Sequence, residues 1–164
     1  MTANDIKSKY GKCGVVIDTN ILLVYVTGLA SPDFVGSTKK TKAYSPEDFK
    51  VLDTVLGRFD RCVTFPNILT ETSNLLDKAE QNVKFKIMQK LHQVAGWLTE
   101  LYHPTKNLEF GNDFFVLGVT DQVILSCVSE GLVLLSDDFD LGNRYMSLGG
   151  KALNFNHLRE FAWR

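Results

Sequence analysis

The sequence predicts an α/β fold: three layers, α/β/α, around a four- to five-stranded, mostly parallel sheet. Three observations lead there. Uncharged, largely β-branched or aliphatic runs at Cys13–Ile17 and Leu132–Ser136 read as strands buried on both faces, as parallel strands are. Segments with apolar residues at helical spacing alternate with the strands, which places helices on both faces of one sheet. The chain has 164 residues, enough for one domain with a proper core and too few for two.

In order, Val15-Val16-Ile17 forms the first strand and closes on Asp18-Thr19-Asn20. A helix follows from Ile21 through Val26, with Gly28 as its stop signal. Leu29 to Tyr44 reads as a mobile loop with little to bury, carrying Lys39, Lys40 and Lys42. Ser45-Pro46-Glu47-Asp48 starts the next helix, with Ser as cap, Pro in the first position and acids in the first turn. Arg61 to Phe65 is a short strand, and Pro66 opens a helix over Asn67–Lys78. A longer helix is expected over Asn82–Tyr102, broken by Pro104.

Thr105 to Leu117 reads as a loop, marked by Asn107, Gly111 and Asn112, with an apolar anchor at Phe114–Leu117. Gly118-Val119-Thr120-Asp121 introduces a helix that Gly131 caps. After the Leu132–Ser136 strand a polar turn runs through Asp137-Asp138-Phe139-Asp140 to Gly142. Lys151–Phe155 reads as an edge strand and Asn156–Arg164 as a closing helix.

Composition is that of an ordinary soluble domain, 45% hydrophobic and 23% charged. With 18 Lys+Arg against 19 Asp+Glu, no basic excess advertises nucleic acid, so any such contact must rest on a local patch. Cys13, Cys62 and Cys127 stand in apolar surroundings without metal-type spacing, which predicts small core side chains and a reducing compartment. Met1–Lys12 lacks an apolar signal core and no run reaches membrane-spanning length. The expectation is a cytoplasmic protein with no membrane partner.

The acids carry the functional signal. Asp18 and the Asp137/Asp138/Asp140 cluster both follow buried strands, and so reach the carboxyl edge of the sheet, where ligands of α/β folds bind. Asp121 follows Thr120 at the start of a helix expected at that edge, and Glu71 lies within two turns of the second strand. Singly, each has an ordinary account: Asp18 as a helix cap, Asp121 as a dipole-stabilised acid, Glu71 as a solvated residue, the cluster as a turn. Their recurrence at matching topological positions does not. Packed carboxylates repel unless a cation neutralises them, and an all-oxygen set suits Mg²⁺ or Mn²⁺. Such ions support phosphodiester hydrolysis.

The ordered set resembles the PIN-domain family. It comprises strand–Asp18-Thr19-Asn20, Glu71 within Pro66-Asn67-Ile68-Leu69-Thr70-Glu71, Thr120-Asp121, and Leu134-Leu135-Ser136-Asp137-Asp138-Phe139-Asp140. The resemblance runs from about Gly14 to Phe155 within a single domain of residues 1–164. It implies a metal-dependent ribonuclease cutting an RNA substrate, with Asp18, Glu71, Asp121 and Asp138 as catalytic metal ligands. Spacing within the family motif selects Asp138 over Asp137, with Asp140 as an accessory ligand. Asn20 would orient Asp18, and Thr19, Thr120 and Ser136 would supply supporting hydroxyls. Many members are toxins of toxin–antitoxin pairs, which brings an antitoxin or regulatory protein and a homodimer as expected partners.

Lys39, Lys40, Lys42, Lys86 and Lys90, with Arg144 near the last acids, are the candidate phosphate contacts, although lysines more commonly form a solvated face. His92, His103 and His157 are scattered and suggest no site; Trp97 and the phenylalanines fit core positions. A PIN-like module that binds RNA or a protein without turnover is the alternative. A receiver-type phosphate acceptor at Asp18 lacks the second Asp and the Lys it needs.

Overall fold

The computed structural model describes residues 3–77, 79–108 and 114–162. Its elements are α1 (Ala3–Tyr10), β1 (Gly14–Ile17), α2 (Thr19–Ala30), α3 (Pro46–Leu56), β2 (Arg61–Thr64), α4 (Pro66–Asn74) and α5 (Gln81–Ala95). Then come β3 (Thr99–Glu100), α6 (Phe114–Ser126), β4 (Val133–Ser136), α7 (Phe139–Ser147), β5 (Lys151–Asn154) and α8 (Phe155–Ala162). The five strands form one all-parallel sheet in the order β3-β2-β1-β4-β5. The fold is three-layer α/β/α: right-handed crossovers set α2 to α5 against α6 and α7 across the sheet.

β1 is the central strand. Val15, Val16 and Ile17 are wholly buried, as are Val133, Leu134 and Leu135 of β4, which pair with them in register. The chain leaves β1 toward β2 and returns to β4 on the other side, so the connections diverge between β1 and β4. That divergence opens a crevice at the carboxyl ends of the strands. Asp18 follows β1 directly, and Asp137 and Asp138 follow β4.

α2 crosses the core with nine buried residues, from Thr19 to Gly28. Gly28 does not end it. The helix runs on to Ala30, and a Cβ at position 28 would sit 2.1 Å from the Phe49 ring, so glycine there admits α3 at close range. α3 starts as expected, with the Ser45 hydroxyl accepting from Asp48 N–H and the Asp48 carboxylate accepting from Ser45 N–H.

Further expected elements change, and the helix expected over Asn67–Lys78 ends at Asn74. The N-terminal segment, for which the sequence suggests no element, folds as α1 and buries Ile6 and Tyr10. The long helix stops at Ala95 rather than Tyr102, because Gly96 caps it and Thr99 and Glu100 pair with Val63 and Thr64 as a fifth strand. The turn after Asp138 is a helix, α7, in which Gly142 takes a helical place. The loop read as mobile is built around buried Val35, Thr38, Thr41 and Tyr44, with the two threonine hydroxyls 2.9 Å apart.

Trp97, expected in the core, is half exposed and meets the Tyr25 ring edge-on. Phe85 and Phe139 also face outward. All three cysteines are free; burial pushes the Cys62 thiol up to about 11 and Cys127 to about 12. The expected Gly111 and Asn112 loop positions, Lys78 and Arg164 lie outside the described residues. Among the described residues, no helix is long and apolar enough to cross a membrane.

Candidate functional site

Asp18 ends β1 and caps α2, so the cap and the crevice-facing acid are the same residue. Its side chain is 5% exposed. Thr19 N–H donates to Oδ1 at 2.6 Å, and the Ser136 hydroxyl donates to Oδ2 at 2.7 Å across the β1–β4 seam. Burial raises this carboxyl to about 6, the Ser136 and Thr19 hydrogen bonds pull it down, and the charges of Asp137 and Asp138 push it up again.

The Ser136 oxygen also accepts from Asp138 N–H at 2.9 Å, tying the two acid-bearing junctions together. Asp138 in turn caps α7: its Oδ1 accepts from Asp140 N–H at 2.8 Å and Leu141 N–H at 3.0 Å. Among the described residues no hydrogen bond engages Oδ2, which leaves that oxygen available to a ligand.

Asp121 lies on α6, three residues past Gly118. Gly118 takes φ +79° and breaks the helix, so the ordered run containing Asp121 starts anew there, at the position expected from sequence. Val116, one of the expected anchor residues, is exposed instead. Burial raises the Asp121 carboxyl to about 7, and Asp18, Asp138 and Glu71 each add repulsion. Four acids from four segments thus share one electrostatic field. Glu71, on the second turn of α4, is exposed and is approached by the Thr19 hydroxyl at 3.4 Å.

The last acidic turn divides its labour. Asp137 is held by protein groups: the Tyr44 hydroxyl donates to Oδ2 and the Asn20 amide approaches Oδ1 at 3.4 Å. Asn156 Nδ2 donates to the Asp137 carbonyl at 3.0 Å. Asn20, expected on Asp18, therefore serves Asp137, and Ser136 and Thr19 orient Asp18. Asp140 is exposed on the first turn of α7, and among the described residues no hydrogen bond joins its carboxylate to the other acids. Thr120 lines a cavity with Asp121 and Glu71 rather than bonding either acid.

Tyr44 is the main residue that sequence reasoning missed. It arrives from the 31–45 connection, stacks against Phe155 and carries the Arg159 guanidinium 5.0 Å over its ring. Arg159 also donates to the Ala43 carbonyl at 2.6 Å and to Asp48 at 3.3 Å, so α8 and α3 fix the connection from below. Lys42 is two residues from Tyr44, and with Lys39 and Lys40 it is exposed on this connection. Lys86 and Lys90 are elsewhere: Lys86 lies over Phe34, past the end of α2 opposite to Asp18, and Lys90 bonds Gln93. Arg144 is exposed on α7.

The donor set consists of carboxylates and hydroxyls, the chemistry of Mg²⁺ or Mn²⁺ rather than Zn²⁺. A divalent cation would also offset the burial and the repulsion that together raise the Asp18 and Asp121 carboxyls, so the residues fit such an ion. Among the described residues no three His, Cys, Asp or Glu side chains stand close enough to grip one ion directly. An ion here would keep part of its water shell, as Mg²⁺ usually does.

No family model and no curated protein matches the chain. Among solved structures, a domain of a functionally unknown protein from Methanocaldococcus jannaschii DSM 2661 is similar at 16% identity, covering 87% of this chain and 90% of that one, with a TM-score of 0.42.

Proposed function

We propose that the protein is a Mg²⁺- or Mn²⁺-dependent ribonuclease of the PIN type. The supporting observation is the convergence at Asp121, whose carboxyl is raised first by burial and then by the charges of Asp18, Asp138 and Glu71 from three other segments. A purely structural edge has no use for four mutually repelling acids at the topological divergence of the sheet.

Asp18, Asp121, Asp138 and Glu71 would hold the ion, in part through its water shell. When bound, it would polarise a phosphoryl oxygen and supply an activated water. The chain's own part is placement. Ser136 fixes the Asp18 carboxylate, Asp138 keeps one oxygen on the α7 backbone and offers the other, and the Thr19 hydroxyl steadies Glu71. Lys39, Lys40 and Lys42, on the connection that ends at Tyr44, supply cations for flanking phosphates. By the same resemblance the proposal includes a toxin or defence role, a restraining antitoxin-like protein and self-association as a dimer.

The test is cleavage of a mixed RNA pool by purified protein with Mn²⁺, Mg²⁺ or EDTA, beside Asp18→Asn and Asp121→Asn. Expected are metal-dependent products with 5′-phosphate and 3′-hydroxyl ends, lost in both variants. Equal cutting by all three proteins, or none by wild type on any pool, overturns the reading. In the second case a module that binds RNA or protein without turnover replaces it.

A further inference from the structure

Beside the acids lies a cavity of about 590 Å³, within the range of small-ligand sites. It is walled by α4, the connection after β3 and the stretch of α6 from Leu117 to Asp121. Asn67, Glu71 and Asn74 follow one another about a turn apart along one face of α4 and line it together. Thr120 and Asp121 line it from α6, and Tyr102 from the connection after β3.

Tyr102 is 73% exposed, so packing does not account for an aromatic at that point. Among the described residues, no hydrogen bond engages the Asn67 or Asn74 side chains. Both amides therefore keep donor and acceptor for a ligand. His103, in contrast, is a fixed part of the wall: Nδ1 lies 2.6 Å from the Ser126 hydroxyl and the ring stands edge-on to Phe65.

We propose that this cavity takes the base of one nucleotide of single-stranded RNA, adjoining the phosphate held at the acids. Tyr102 stacks on the base, and Asn67 and Asn74 read its edge. Single-stranded RNA is recognised this way, with unstacked bases laid on aromatic rings and their edges met by side-chain hydrogen bonds. The lining sets an aromatic ring and uncharged amides beside the carboxylates, so a base held here adjoins a phosphate at the acids. The site rests on the ribonuclease reading and adds a base preference at one position beside the cut.

The experiment maps cut ends in a randomised single-stranded RNA pool treated with wild type, Tyr102→Ala, Tyr102→Phe and the double variant Asn67→Ala/Asn74→Ala, with Mn²⁺. Fluorescence anisotropy with a labelled heptaribonucleotide runs on the same proteins. Wild type should show a base preference at one position next to the cut. Tyr102→Ala should lose about five- to a hundredfold in kcat/KM, which is what one stacked base contributes. Tyr102→Phe should retain the activity, and the double variant should flatten the preference. Tyr102 is exposed, so these changes leave the fold intact, and circular dichroism checks this. If wild type cuts and Tyr102→Ala cuts equally with the same preference, the base site is overturned while the nuclease stands. If wild type does not cut, the nuclease reading fails and binding decides. Weakening of about fivefold or more in Tyr102→Ala then supports the base site, and equal affinities or no binding overturn it.

Discussion

The Ser136 hydroxyl donates to Asp18 Oδ2 at 2.7 Å, joining the carboxyl ends of two adjacent central strands through the acid that the proposed chemistry needs. The same oxygen accepts Asp138 N–H, so one hydroxyl sets the spacing of two acids. Ser136→Ala should remove this brace. At pH 8, where Asp18 is ionised, the lost bond to a buried carboxylate should cost about 2 kcal/mol in urea unfolding. Carbon-detected NMR of the side-chain carboxyls should show Asp18 titrating higher than in wild type. An unchanged Asp18 titration would remove Ser136 from the account.

Without metal, stability should fall as pH rises. Asp18 is raised to about 6 and Asp121 to about 7 from an ordinary 3.8. Across that window the folded protein holds protons that the unfolded chain has already released, so unfolding releases protons and rising pH favours it. Melting in EDTA should therefore fall between pH 5 and pH 8, and Mn²⁺ should flatten the slope. At pH 8 Asp121→Asn should stabilise the metal-free protein. Allowing for partial exposure, the gain is about 1–2 kcal/mol, or about 3–6 °C. A flat profile in EDTA would show that the acids do not share a field.

Tyr44→Phe should loosen the 31–45 connection without disturbing the sheet. It removes the donor to Asp137 while keeping the ring against Phe155 and under Arg159. The expected loss is about 1–2 kcal/mol, with faster amide exchange confined to residues 35–45. Asp137→Ala should cost at least as much, since it also removes the Asn20 contact, and the double variant little more than Asp137→Ala alone, because the Tyr44 bond is common to both.

Gly28→Ala is a test of packing alone. A methyl group there would enter the Phe49 ring, so that ring must leave its place between α2 and α3 or the helices must separate. Thermal melting should show a loss of about 2–3 kcal/mol.

Much of this was legible in the sequence for a local reason. β1 and β4 are uninterrupted apolar runs, and each ends in an acid, so strand, edge and candidate ligand could be read from a few consecutive residues. Asp121 follows a glycine that does break the helix, again a local signal. What stayed hidden depends on distant partners. Tyr44 meets Asp137 across 93 positions, and nothing near Tyr44 marks it. β3 is two residues long and is a strand only because Val63 and Thr64 lie beside it. α7 was masked by Gly142, a residue of low helix propensity that the Asp138 cap outweighs. Tyr102 and Asn67 were ordinary polar and aromatic letters until the fold set them around one cavity.

The central claim is that Asp18, Asp121, Asp138 and Glu71 serve one cation, and calorimetric titration with Mn²⁺ at pH 6.5 tests it most directly. In two buffers of different ionisation enthalpy, wild type should bind with proton release, since Asp18 and Asp121 are partly protonated at that pH. Asp121→Asn and Asp18→Asn should each weaken binding at least tenfold and reduce the protons released. Binding of equal strength in wild type and both variants, or no binding at millimolar Mn²⁺, would contradict it.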